Sequence, residues 1–170
     1  IATPCLPFAG RYGYALVTQY PHPFIGTDQE KSLIEAAVPT AALARPRRPR
    51  KLLVVTLNMR DGKPRGGHKS IPYANYAIEL AGQKTGAYQA VFSNEVSMFE
   101  KSKLAEFDAI CFNNTVGVLF DDPQLRQNLL DFVAGGKGFV GTHAAAATFV
   151  QYPVYDQFPP FGDMLGAYEN

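Results

Sequence analysis

The side chains best suited to acid/base chemistry near neutral pH are those of two histidines, His68 and His143. A neutral imidazole accepts a proton and an imidazolium donates one, so each can act as a general acid or base. His143 lies one step beyond a short apolar strand, and ligands of open α/β sheets bind beyond the carboxyl ends of strands. His68 lies in a glycine-containing loop before a predicted helix, where the backbone can approach a ligand closely. We therefore predict that both histidines are catalytic.

Polar side chains follow three of the predicted strands and suit a ligand rich in hydroxyl groups. Amides and hydroxyls donate and accept hydrogen bonds, as the binding of a sugar requires. The same side chains often satisfy backbone groups at strand ends or helix starts, and this structural interpretation stays open. The predicted substrate-binding residues are Asn58, Ser70, Asn113, Asn114, Thr115 and Thr142.

Other uses of the histidines have less support. His143 can instead cap the next helix, and His68 can simply face solvent. A metal site on both would need a third ligand, for which only Asp61 and Asp163 are candidates, so we predict no metal and no cofactor. A hydrolytic triad is disfavoured because His143 occupies the strand-to-helix turn where a serine or cysteine nucleophile would stand.

Short apolar runs alternate with helical patterns from residue 51 onward. One helix is predicted over 73–84, with Ser70 as its cap and Gly86 at its end, and another begins at 121–123 and ends before Gly135. This alternation predicts a mostly parallel sheet with right-handed crossovers, which is a flavodoxin-like three-layer α/β sandwich. The predicted strands are 52–57, 89–93, 108–113 and 138–142.

The domain over 51–170 is predicted to be truncated at its C-terminus. After His143 no convincing strand remains, although a sheet of this kind normally has at least about five strands. An open sheet edge would favour self-association, so a homo-oligomer is expected.

Residues 1–50 are predicted to form an irregular leader outside the sheet domain. Several prolines interrupt it, and one short helix is expected over 28–37, capped by Thr27 or Asp28. The basic, proline-containing run 45–51 is interpreted as a solvated tether. A nucleic-acid or membrane-surface patch is the alternative, but no aromatic residues or second basic run support it.

Composition narrows the class of protein. The chain has 170 residues, 46% of them hydrophobic, and a net charge of +1, which gives no argument for nucleic acid or membrane partners. No apolar run reaches the roughly 18 residues of a membrane span.

Cys111 is predicted to be buried and Cys5 to lie in the leader, without a disulfide. The sequence does not fix the location, although the lack of a signal peptide favours the cytoplasm.

Four segments, in order, resemble the ThuA-like (trehalose utilisation) family: 67–72, 107–115, 135–148 and 161–168. The resemblance covers about residues 50 to 170 and implies a class I glutamine amidotransferase-like fold. It also implies that the amidotransferase cysteine is replaced by His143, so no amidotransferase activity is expected. Family members are associated with bacterial catabolism of disaccharides, through keto-sugar intermediates.

The chain departs from the family pattern in two places. The family often has an acidic residue four positions after the histidine, where this chain has Ala147. The family domain also continues beyond Asn170. Three hypotheses follow: an acid/base enzyme acting on a disaccharide or keto-sugar, a non-catalytic carbohydrate-binding or regulatory module, and a metal-dependent hydrolase.

Overall fold

The computed structural model describes residues 23–151 and 154–167, so Cys5 and residues 1–22 of the predicted leader lie outside the described part. The central sheet of the described part has four parallel strands, which are β1 Lys51–Val55, β4 Gln89–Phe92, β5 Ala109–Asn113 and β6 Gly138–Thr142. They lie in the order β4-β1-β5-β6. The predicted α/β class and mostly parallel sheet are therefore confirmed.

The two central strands are buried because their side chains are apolar on both faces. Leu53 and Val54 of β1 and Ile110 of β5 are fully inaccessible to solvent. A parallel strand covered by helices on both sides needs such a continuous apolar run. The edge strand β6 differs, since Val140 is 50% exposed.

Helices cover both faces of the sheet. The helix α2, Ile71–Thr85, connects β1 to β4, and α4, Pro123–Ala134, connects β5 to β6. In the strand order, these two connections lead toward opposite edges of the sheet. Because parallel crossovers are right-handed, α2 and α4 lie on opposite faces. This arrangement gives the three layers of a flavodoxin-like sandwich. The other helices are α1 Asp28–Ala37, α3 Lys101–Leu104 and α5 Pro159–Leu165, with 3₁₀ turns at Val96–Phe99 and His143–Ala147.

Helix ends follow the local sequence signals. Thr27 and Glu30 form a capping box at the start of α1. Asp122 accepts hydrogen bonds from the first backbone N–H groups of α4, and Gly86 ends α2 in the left-handed conformation. The predicted bounds of these helices are confirmed to within a few residues. None of the described helices is long and apolar enough to cross a membrane.

A cluster of phenylalanine rings forms the core on the α4 side of the sheet. Arg126 of α4 lies over two of these rings, 5.3 Å from the centroid of Phe149 and 5.1 Å from that of Phe158. It also donates to the carbonyl oxygen of Gln157 at 3.1 Å, which fixes the last described segment to α4. The clustered rings are Phe99, Phe112, Phe120, Phe139, Phe149, Phe158 and Phe161.

Two segments differ from the sequence-based predictions. The segment between the first predicted strand and His68, for which only a loop was predicted, contains a hairpin of β2 Met59–Arg60 and β3 Lys63–Pro64, whose turn places Asp61 at φ 52°. Beyond His143 a second hairpin forms from β7 Val150–Gln151 and β8 Val154–Asp156, and neither strand joins the central sheet. Both hairpins are too short to give the alternating pattern by which strands are recognised.

The basic run before β1 contacts the sheet instead of being wholly solvated. Asp108 accepts hydrogen bonds from the backbone N–H of Lys51 at 3.0 Å, from Arg50 at 2.9 Å and from Arg48. Burial opposes ionisation of this carboxyl group, but the three donors outweigh it and lower the pKa of Asp108 to about 2. The run is therefore anchored to the sheet at Asp108, while the side chains of Arg48 and Arg50 stay partly exposed to solvent.

Replacing Asp108 should make the protein less stable in a pH-dependent way. A carboxyl group with a lowered pKa stabilises the fold above its ordinary pKa near 4, and this stabilisation is lost as pH falls toward 2. We expect Asp108→Asn to lower the free energy of unfolding by roughly 1–2 kcal/mol at neutral pH. Urea unfolding between pH 7 and 2 measures the difference, which should shrink below about pH 4. Glu106→Gln, at an exposed ion pair, should show almost no difference, and a pH-independent loss in Asp108→Asn would contradict the assignment.

Candidate functional site

The two predicted catalytic histidines come together at the carboxyl edge of the sheet. The ring centroids of His68 and His143 are 4.6 Å apart, with an angle of 79° between the ring planes. The two residues come from the segments after β1 and β6, which are separated in the sheet by β5. His143 is exposed and His68 is half-buried, so both imidazoles can be reached from solvent.

His143 lies on a strained turn directly after β6. Its φ is 51°, in the left-handed region that residues other than glycine rarely adopt. The turn is tight, since a Cβ on Gly141 would lie 2.9 Å from the Cβ of Ala145. Sharp turns after a strand present nucleophiles in α/β hydrolases, and His143 is exposed at this one.

Asn114, directly after β5, joins the strand ends on either side of it. Its backbone N–H donates to the carbonyl oxygen of Thr142 at 3.3 Å, and its carbonyl oxygen accepts from Asn58 Nδ2 at 3.0 Å. Like His143, it has a left-handed backbone, with φ 59°. An asparagine tolerates this conformation better than most residues. Asn114 therefore connects the segments that carry the two histidines.

The side chains of the candidate site form a continuous network of hydrogen bonds. Asn114 Nδ2 and Thr142 Oγ1 both donate to Asn113 Oδ1, at 2.6 Å and 3.0 Å. Ser70 Oγ lies 3.4 Å from Asn114 Oδ1, so Ser70 contacts this network. Ser70 is the N-cap residue of α2, as predicted, but its side chain makes no capping hydrogen bond.

Four of the six predicted substrate-binding residues are buried. Their side chains already have hydrogen-bond partners inside the protein, as in the contact of Thr115 Oγ1 with Thr148 Oγ1 at 2.6 Å. Ser70 is exposed and Thr142 is half-buried, so these two can meet a ligand without breaking the fold. Direct sugar binding by the other four stays a prediction, and they are Asn58, Asn113, Asn114 and Thr115.

Asn75 belongs to the same network but was missed at the level of sequence. It lies on α2, is 4% exposed, and its Oδ1 accepts from Asn113 Nδ2 at 2.8 Å. The helical spacing that predicted α2 gave no reason to treat one asparagine in it as functional. The only signal in the sequence for a role in the candidate site is its position near the start of α2, five residues after Ser70.

Metal ligation has limited support from the described residues. No group of three or more histidine, cysteine, aspartate and glutamate side chains suited to a metal is found in the part of the chain that the structure describes. Asp61 and Asp163 thus do not join His68 and His143 as a third ligand. A metal held by the two imidazoles would need its remaining ligands from water or substrate.

A glycine fixes the loop after β5 against the loop that leads to His68. At Gly117, with φ 78°, a Cβ would lie only 2.1 Å from the carbonyl oxygen of Met59. The Met59 N–H donates to the carbonyl oxygen of Val116 at 2.8 Å. The Gly117 N–H donates to the carbonyl oxygen of Ala147 at 2.9 Å. The segments after β1, β5 and β6 are therefore in direct backbone contact.

The fold and the site together define a class of protein. A parallel α/β sandwich with a histidine on the turn after a strand of the sheet is consistent with the class I glutamine amidotransferase-like superfamily. A family model described as ThuA, trehalose utilisation, matches residues 54–170. The chain belongs to this family. Comparison with curated proteins and with solved structures found no match.

Gly117→Ala should lower the free energy of unfolding far more than the same substitution at a glycine that has a similar φ but open space around it. Gly62, with φ 70°, has no atom within 4 Å of the position that a Cβ would take, so Gly62→Ala carries only the backbone strain of about 1–2 kcal/mol. Gly117→Ala adds a clash with backbone atoms and should cost at least about 2 kcal/mol more. Urea unfolding of both variants measures this difference. Equal losses would show that the contact with Met59 is not tight.

Proposed function

We propose that this ThuA-family protein carries out acid/base chemistry on a disaccharide or keto-sugar through His143. The family match associates the chain with trehalose utilisation. The observation that supports the chemistry best is the imidazole pair, with ring centroids 4.6 Å apart at the carboxyl edge of the sheet. Two imidazole groups that lie this close can accept one proton from a substrate and donate another.

Each histidine has a role that follows from its position. His143 is exposed on its turn, so its imidazole can reach the carbon-bound hydroxyl or the glycosidic oxygen of a sugar and act as the general acid or base. His68 is half-buried beside it and is the second acid/base group or an anchor for the substrate. Ser70 and Thr142 are the accessible hydroxyl groups that can bind sugar oxygens.

Glutamine amidotransfer is not part of the proposed function. That reaction needs a thiolate nucleophile on the turn after a strand, and the turn after β6 carries His143 instead. Cys111 is the free cysteine among the described residues, and it lies inside β5. Burial raises the pKa of its thiol to about 11, which keeps it protonated and unreactive at neutral pH.

A non-catalytic carbohydrate-binding module is the second candidate. Ala147, where the resemblance implies an acidic residue, is a buried alanine whose methyl group can neither orient a histidine nor bind a hydroxyl. A site without that acid can still bind a sugar through the remaining polar groups. This candidate predicts binding without turnover, and binding that survives His143→Gln.

Replacing the histidines tests the catalytic proposal. In the full-length protein, His143→Ala should reduce turnover of trehalose, a related disaccharide or its keto derivative by about 10²–10⁴-fold, because a general acid/base is lost. His68→Ala should reduce turnover by a smaller factor. Conversion of each sugar is measured by chromatography of the products. Gln83→Ala, an exposed position on α2, is the matched control and should have no effect.

The outcomes separate the two candidates. Turnover that is unchanged in His143→Ala would rule out His143 as the acid/base group. Sugar binding by the unsubstituted protein without any conversion, retained in His143→Gln, would favour the binding module instead.

A further inference from the structure

Asn75 places a polar side chain at a buried position of α2. It is 4% exposed, and its Nδ2 is the one buried side-chain nitrogen or oxygen without a hydrogen-bond partner among the described residues. A buried donor without an acceptor destabilises a protein, whereas an apolar side chain of similar size would not bring that cost. The reason for an asparagine here must therefore lie in its other polar atom, Oδ1.

The one hydrogen bond that this side chain makes leads into the candidate site. Asn75 Oδ1 accepts from Asn113 Nδ2 at 2.8 Å. Because the Nδ2 of Asn113 donates to Asn75, the Oδ1 of Asn113 is left facing the strand ends. There this oxygen accepts from Asn114 Nδ2 at 2.6 Å and from Thr142 Oγ1 at 3.0 Å. The orientation of one amide on α2 thus determines which atom of Asn113 faces the two turns.

Those turns are the parts of the site that most need an external constraint. Asn114 and His143 both have a left-handed backbone, and Thr142 directly precedes His143. Backbone strain of this kind persists only where surrounding contacts hold it in place. Hydrogen bonds from the residues at the ends of β5 and β6 to a single oriented side-chain oxygen are such a contact.

We propose that Asn75 is a positioning residue of the site, which holds the turns of Asn114 and His143 through Asn113. Asn75 does not touch the substrate in this proposal, and its effect on sugar affinity rests on the proposed function above. The constraint on the two turns does not, since it concerns the protein without a ligand.

The test compares two buried helical asparagines. Asn128 of α4 is 7% exposed, and its amide donates to the Phe99 carbonyl oxygen at 3.0 Å, remote from the network in sequence and in bonding. Asn75→Leu and Asn128→Leu each remove one buried amide from the full chain. We expect Asn75→Leu to shift the backbone amide NMR signals of Asn114 and His143 and to weaken disaccharide binding by about tenfold. Asn128→Leu should lower the melting temperature but leave those signals and the affinity unchanged.

The proposal is overturned if Asn75→Leu leaves the Asn114 and His143 signals at their original positions, or if Asn128→Leu moves them equally. If Asn75→Leu does not fold, Asn75→Ala and Asn128→Ala, which add no bulk, carry the same comparison. Failure of the unsubstituted protein to bind any sugar would count against the proposed function, while the NMR comparison would still decide the role of Asn75.

Discussion

The hydrogen bonds of Asn114 hold together the three segments on which the candidate site is built. Its backbone reaches Thr142 before His143 and Asn58 in the segment that leads to His68. Parallel strands bring their carboxyl ends to one edge of the sheet but do not fix the loops beyond them. The bonds of Asn114 supply such a second constraint between the segments whose imidazoles lie 4.6 Å apart.

The network around Asn114 consists of buried amides, while other groups of the candidate site stay accessible. Buried amides have fixed orientations because each has an internal partner, so they can hold backbone turns in strained conformations. The groups that remain accessible are the imidazoles and the hydroxyls of Ser70 and Thr142. The two hydroxyls are each bonded to a buried amide, Ser70 to Asn114 and Thr142 to Asn113.

The main features of the fold could be predicted from the sequence because they depend on local patterns. The apolar run of β1 and the polar residues after β5 need only their own neighbours to be recognised. The convergence of His68 and His143 followed from the geometry of a parallel sheet. The role of Asn75 could not be predicted, because it depends on a contact with Asn113 across 38 positions of sequence and on near-complete burial.

The response of both imidazoles to a sugar is the most direct test of a shared binding site at His68 and His143. The ring signals of the two residues, assigned by replacing each with glutamine, would be followed by NMR while trehalose and related disaccharides are added. We predict that both signals move along the same saturation curve, because the two rings border one binding site. Movement of only one ring, or of neither with every disaccharide, would contradict this prediction.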